Sequence, residues 1–74
     1  MIIRSQNKKE LHNLDRIAMI RIITNSQNFF VEVNNQHVIG TYSKEEKAIK
    51  VLNRICDFCL RSVGIFQMPQ DSEV

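Results

Sequence analysis

Residues Arg16 to Thr24 constrain the fold more than any other stretch of the chain. β-Branched residues dominate them, so they read as a strand. Alternation puts Ala18, Ile20 and Ile22 on one face, and Ile17, Met19, Arg21 and Ile23 on the other. A sheet open to water on one side shows polar residues there. Here the second face offers a single arginine. Both faces therefore call for cover, and one amphipathic helix supplies cover for only one.

The neighbouring segments set the architecture. Ile2 to Ser5 reads as a short strand, with a weak return through Glu10 to Leu14 after the polar turn Gln6 to Lys9. Phe29 to Val33 and His37 to Tyr42 read as two further strands. Asn34-Asn35-Gln36 joins them, because Asn tolerates the left-handed backbone of tight hairpins. Gly40 marks a bulge or the close approach of a helix. Ser43 with Glu46 has the form of a capping box. Apolar residues then follow at helical spacing: Ala48, Ile49, Leu52, Ile55, Cys56, Cys59, Leu60 and Val63. They form one stripe roughly 140° wide, and Gly64 fits a C-cap. The expected fold is α+β: an antiparallel β-meander of four or five strands, then one long C-terminal helix on one face of the sheet. Residues 1–66 make a single domain, and residues 67–74 read as a flexible tail.

At 74 residues the core is small, and burial reaches only roughly 60% of the unfolded chain's surface. Self-association or a partner is therefore expected. No apolar stretch approaches the roughly 20 residues of a membrane span, and Ser5 to Lys9 leaves no apolar signal core. Two cysteines are too few for a disulfide-stapled secreted domain. Together these imply a soluble protein of a reducing cytoplasm. Net charge is +2, and residues 1–70 carry ten basic against six acidic groups. That balance is milder than in a dedicated nucleic-acid binder.

Few residues offer catalytic chemistry. Cys56 and Cys59 form a CxxC, but no second ligand pair accompanies it. They lie in mid-helix on the apolar stripe, so buried core cysteines are expected rather than a metal or redox site. His12 and His37 are far apart in sequence, and nothing in the spacing groups them with Asp15 or Glu32. Gly40 and Gly64 are the only glycines, which excludes a Gly-rich phosphate loop. The expectation is no enzyme, no cofactor and no metal.

Binding surfaces are more legible. Val51 and Phe58 lie on one flank of the helix, outside the main stripe. With Met19, Arg21 and Ile23 on the second sheet face, they are the expected contacts of a homodimer or a protein partner. Lys47, Lys50, Arg54 and Arg61 cluster on the helix face opposite the stripe. They support an alternative reading as a nucleic-acid contact.

Two segments carry a resemblance. Ile3-Arg4-Ser5-Gln6, with Leu11 and Asn13, forms the first. Ile39-Gly40-Thr41-Tyr42-Ser43 through Glu46 and Ala48, then Val51-Leu52 and Ile55, forms the second. Together they resemble a group of small proteins of Firmicutes and their phages, in which an N-terminal IRSQ precedes a later G-x-Y motif. The likeness covers both ends of residues 2–55, with Ile39 where those proteins tend to carry Leu. It implies a bacterial, mobile-element or viral context. The expected function is a small binding module that regulates or inhibits a host protein, an anti-CRISPR type of inhibitor being one version.

Overall fold

The computed structural model describes residues 1–61 and 64–74. Strands β1 (Ile2–Arg4), β2 (Leu11–Asn13), β3 (Ile20–Asn25), β4 (Asn28–Val33) and β5 (His37–Tyr42) precede helix α1 (Glu45–Arg61), and β6 (Ile65–Gln67) follows it. The α+β class holds, but the single meander does not. Two three-stranded sheets form, in the orders β2-β1-β6 and β3-β4-β5. β1 pairs antiparallel with β2 and parallel with β6, so the N-terminal hairpin is completed by the far end of the chain. The second sheet is antiparallel throughout.

Local chemistry explains the element ends. Asn34 and Asn35 take φ of 53° and 59° in the β4–β5 turn, as their residue type allows. The Asn34 side chain also accepts from the N–H of Ala18 at 2.7 Å and donates to the carbonyl of Arg16 at 3.2 Å. These bonds hold the approach to β3 outside the ladder. Leu14–Arg16 is a 3-10 turn, capped by the Asn13 side chain accepting from Asp15 N–H. β3 therefore starts at Ile20, later than its β-branched run implies. The helix begins at Glu45, and the carbonyl of Lys44 accepts from the N–H groups of Lys47 and Ala48. Ser43 lies outside the helix and binds Asp71. Gly64 has φ of +118°, a backbone region that glycine adopts without steric cost. Val63, assigned to the apolar stripe from sequence, lies outside the described residues.

One core joins both sheets and the helix: Ile3, Val31, Val33, Ile39, Tyr42, Ala48, Val51, Ile55 and Met68, all at most 4% exposed. Met68 belongs to the stretch expected to be a loose tail, which is instead docked. Its N–H donates to the Arg4 carbonyl at 3.0 Å, extending the β1–β6 ladder. The Tyr42 hydroxyl donates to the Pro69 carbonyl at 2.8 Å. A bulge shifts the β4–β5 register, so that Val31 faces Gly40 and Glu32 faces Val38. A Cβ added at Gly40 would lie 2.9 Å from Met68 Cε and 3.0 Å from the Tyr42 ring. The glycine thus makes room for Met68 and Tyr42, not for the helix.

Met68→Ala is expected to cost about 2–5 kcal/mol in urea unfolding, the range for emptying a buried Met site. A loose tail would show a change of less than about 0.5 kcal/mol.

Candidate protein-interaction surface

The apolar residues of α1 span an arc of roughly 200°, from Phe58 round to Leu60, too wide for one contact. They divide into two adjacent seams of helical spacing. Ala48, Val51, Ile55 and Phe58 form the first; Ile49, Leu52, Cys56 and Cys59 form the second, with Leu60 at its outer edge. The fold buries the first. Ala48, Val51 and Ile55 are the buried positions of the helix, and Phe58 packs edge-on against Phe66, ring centroids 5.5 Å apart. Val51 and Phe58 are therefore core-side residues, not the exposed contacts expected. The second seam faces outward except at Leu52, which is half-buried and packs against the core. Ile49 is 44% and Leu60 79% exposed. Cys56 and Cys59 are exposed free thiols, contrary to the expected core placement.

The cause lies in the C-terminal segment. Phe66 on β6 draws Phe58 inward, and Lys47 Nζ donates to the Asp71 carbonyl at 2.9 Å. Both contacts grip the Val51 flank. The helix is rolled by roughly 75° from the orientation that would centre the predicted stripe on the core.

The outer face of the β3-β4-β5 sheet is the second apolar surface. α1 contacts β4 and β5 on the face of Val31 and Val33, against which Ile20 and Ile22 also pack. Alternation turns Arg21, Ile23, Phe30 and Glu32 to the other face. There Ile23 pairs with Phe30 and Arg21 with Glu32 in register, and Arg21 Nε donates to Glu32 Oε1 at 3.1 Å. Val38 opposite Glu32 is 46% exposed, and Met19, just before the strand, 40%. Met19, Arg21 and Ile23 thus stand where alternation predicted, with Phe30 and Val38 beside them.

The basic cluster on the helix is divided. Lys47 sits 3.5 Å from Asp71 Oδ2, and Arg61 pairs with Asp57 at 3.0 Å. Lys50 and Arg54 are exposed. His12 and His37, which the spacing left ungrouped, come together with ring centroids 5.4 Å apart. His12 Nε2 lies 2.9 Å from Glu10 Oε1. Among the described residues no group of three or more His, Cys, Asp or Glu side chains is placed to hold a metal ion. No described helix is long and apolar enough to cross a membrane.

The two motif segments meet each other. Gln6 donates to the carbonyls of Thr41 and Pro69, each at 3.1 Å, and its Oε1 accepts from Thr41 N–H at 2.9 Å. Its own N–H donates to the Ile39 carbonyl. Gln6 thereby caps the free edge of β5 and ties it to the C-terminal segment. Buried Ser5 donates to Asn7 Oδ1 and accepts from Glu10 N–H. A shallow depression of about 230 Å³ lies over Ser5, Gln6, Asn7 and Val38 to Thr41. It is smaller than the usual 300–1,000 Å³ of ligand sites, and the Gln6 amide beside it is already engaged. These residues serve the fold.

The same junction perturbs two acids. Burial pushes the Tyr42 phenol up to about 12, and the Asp71 charge adds to the effect. The Ser43 backbone N–H, donating at 2.9 Å, holds the Asp71 carboxyl below its ordinary 3.8, helped by the Ser43 hydroxyl and Lys47. Comparison of the chain with protein-family models, with curated proteins and with solved structures gave no match.

Two pH experiments follow. A lowered folded-state value makes ionised Asp71 stabilising above about 3.8, and that stability is lost as pH falls through the folded value. Asp71→Asn should therefore lower Tm at pH 7, with the gap to the wild type closing below pH 3.8. A constant gap would mean the carboxylate charge is not what matters. Tyr42 is the only tyrosine, and its raised value makes the neutral phenol stabilising below pH 10. That contribution is lost as pH rises from 10 to about 12. Phenolate absorbance should appear together with unfolding in this window; phenolate forming near pH 10 in the folded chain would contradict the buried hydroxyl.

Proposed function

We propose that the chain is a non-enzymatic protein-binding module that regulates or inhibits a host protein. The observation that carries this reading is surplus apolar surface. Met19, Val38, Ile49 and Leu60 are each at least 40% exposed, on two faces the fold does not use. Isolated exposed apolar residues are common, but contiguous ones mark contact sites. On the sheet face, Ile23, Phe30 and Val38 supply the apolar area, and the Arg21–Glu32 pair supplies a polar rim. The partner assigned to this face is a host protein, in keeping with the bacterial or phage setting that the IRSQ and G-x-Y motifs imply. Inhibition by occlusion needs only such a surface; an anti-defence role is one case.

The test uses the tagged full chain in bacterial lysate, alongside Met19→Asp and Ile23→Asp. A stoichiometric host protein should co-elute with the wild type. Its recovery should drop at least about tenfold for both variants while their circular dichroism is unchanged, since a charge in a contact core costs more than about 1.4 kcal/mol. Equal recovery would remove the sheet face from the interface. Absence of any stoichiometric protein would count against the host-protein reading.

A further inference from the structure

We propose that the open edge of β3 pairs with β3 of a second copy of this chain, antiparallel about a two-fold axis, so that the two β3-β4-β5 sheets become one. The contact is made by the main chain of one strand, and it does not rest on the host-protein reading. β3 is the outer strand in the order β3-β4-β5, and its register to β4 is unbroken from Ile20 to Asn25. The Met19 carbonyl accepts from the Asn34 N–H at 2.9 Å, which continues that register by one pair. Bonding alternates along an antiparallel ladder. Arg21, Ile23 and Asn25 therefore turn their N–H and C=O groups to β4, and Ile20, Ile22 and Thr24 turn theirs outward. Among the described residues, no group bonds to that outward row.

The two edges of this sheet are treated differently. On β5, the Ile39 carbonyl accepts from the Gln6 N–H, and the Gln6 amide takes both the N–H and the carbonyl of Thr41. β3 has no such cap. It also carries no proline, no lysine and no bulge, the usual devices that blunt an edge. A row of alternating donors and acceptors is answered by another extended strand, not by a helix or a flat surface. The segment leading into β3 leaves the row clear, because the N–H groups of Ala18 and Met19 are held by Asn34 Oδ1 on the β4 side.

The row matches a second copy of itself. Centring the pair on Ile22 sets Ile22 opposite Ile22 of the second copy, and Ile20 opposite its Thr24. Every outward residue of both copies then gives and receives a bond. A shift either way loses this: one direction runs into the Ser26-Gln27 turn, the other into Ala18, whose N–H is already engaged. The side chains agree. Ile20 and Ile22 are half-buried at the margin of the core, and α1 lies over β4 and β5. Pairing lays Ile22 on Ile22 and Ile20 on Thr24, all β-branched, where the helix gives least cover. On the outer face Arg21 falls opposite Ile23, not opposite a like charge, and keeps its bond to Glu32. The axis stands normal to the sheet, so both helices lie on one side. Strand spacing sets them roughly 19 Å apart, clear of each other. The margins of the joined sheet are then the two β5 strands, each capped by Gln6, so assembly closes at two copies.

The contact is small, and a dissociation constant of about 10–200 μM is expected. Sedimentation of the full chain up to about 1 mM should show a monomer–dimer equilibrium and no larger species. Amide hydrogen exchange read by NMR then identifies the edge. The amides of Ile20, Ile22 and Thr24 should exchange at least about threefold more slowly at about 1 mM than at about 20 μM, while those of Arg21 and Ile23 should not respond to concentration. Thr24→Pro removes an outward N–H and no bond to β4, a placement that edge strands tolerate. It should leave circular dichroism unaltered and raise the dissociation constant at least about tenfold. Should that variant lose its fold, the exchange pattern of the wild type still decides. A chain monomeric at about 1 mM overturns the proposal, as does a folded Thr24→Pro chain that dimerises as well as the wild type. A dimer whose three outward amides exchange as fast as in the monomer overturns it too, and open-ended assembly overturns the two-fold closure. Host-protein capture through Met19 and Ile23 does not need the Thr24 N–H, so the two readings fail separately.

Discussion

The docking of residues 65–70 onto the N-terminal hairpin and β5 is the constraint on which the rest depends. Met68 fills the hollow that Gly40 leaves beside Tyr42, and the Pro69 carbonyl receives both the Tyr42 hydroxyl and the Gln6 amide. β6 lies parallel to β1, which places the two ends of the domain in one sheet. Without this segment, Tyr42 and Gln6 would each lose a hydrogen-bond partner in a low-dielectric setting. The cost of such unpaired groups exceeds the net gain of an ordinary hydrogen bond.

The same docking fixes how the helix is used. Phe66 and Asp71 hold the Phe58 and Lys47 flank, so the core takes one apolar seam together with Leu52 and leaves Ile49, Cys56, Cys59 and Leu60 exposed. An amphipathic helix ordinarily presents one stripe to the core and polar residues elsewhere. This one carries nearly two stripes, of which the core uses the first and, from the second, Leu52. The exposed half costs solubility and adds nothing to the monomer.

Much of the architecture is legible from residue pattern. β4 and β5, the Asn34-Asn35 turn and the body of the helix follow from β-branched runs, Asn tolerance of positive φ and apolar periodicity. What escapes such reading is long-range. Three residues, Ile65 to Gln67, are too few for a strand signal, and only their pairing with β1 makes them one. Without that strand in view, Met68 reads as part of a loose tail, Val51 and Phe58 as surface, and Cys56 and Cys59 as core. The two seams are present in the sequence as adjacent sets of helical spacing. Periodicity alone does not say which set faces inward, because that is decided by Phe66 and Asp71, beyond the helix. The His12–His37 approach is invisible for the same reason. Met19, Arg21 and Ile23 fall where expected because strand alternation is a local property.

The parallel strand that closes the small sheet is also among the last parts of the domain to be synthesised. Until Met68 has left the ribosome, β1 has only β2 beside it and the hollow over Gly40 is unfilled. A nascent chain can assemble β3, β4 and β5 from local contacts, but completing the core waits for Ile2 to meet Ile65 and Arg4 to meet Gln67, at opposite ends of the chain. Ordering of the N-terminal hairpin is therefore coupled to the synthesis of residues 65–68 rather than to its own, and a product stalled within the helix would expose its apolar residues to chaperones and proteases.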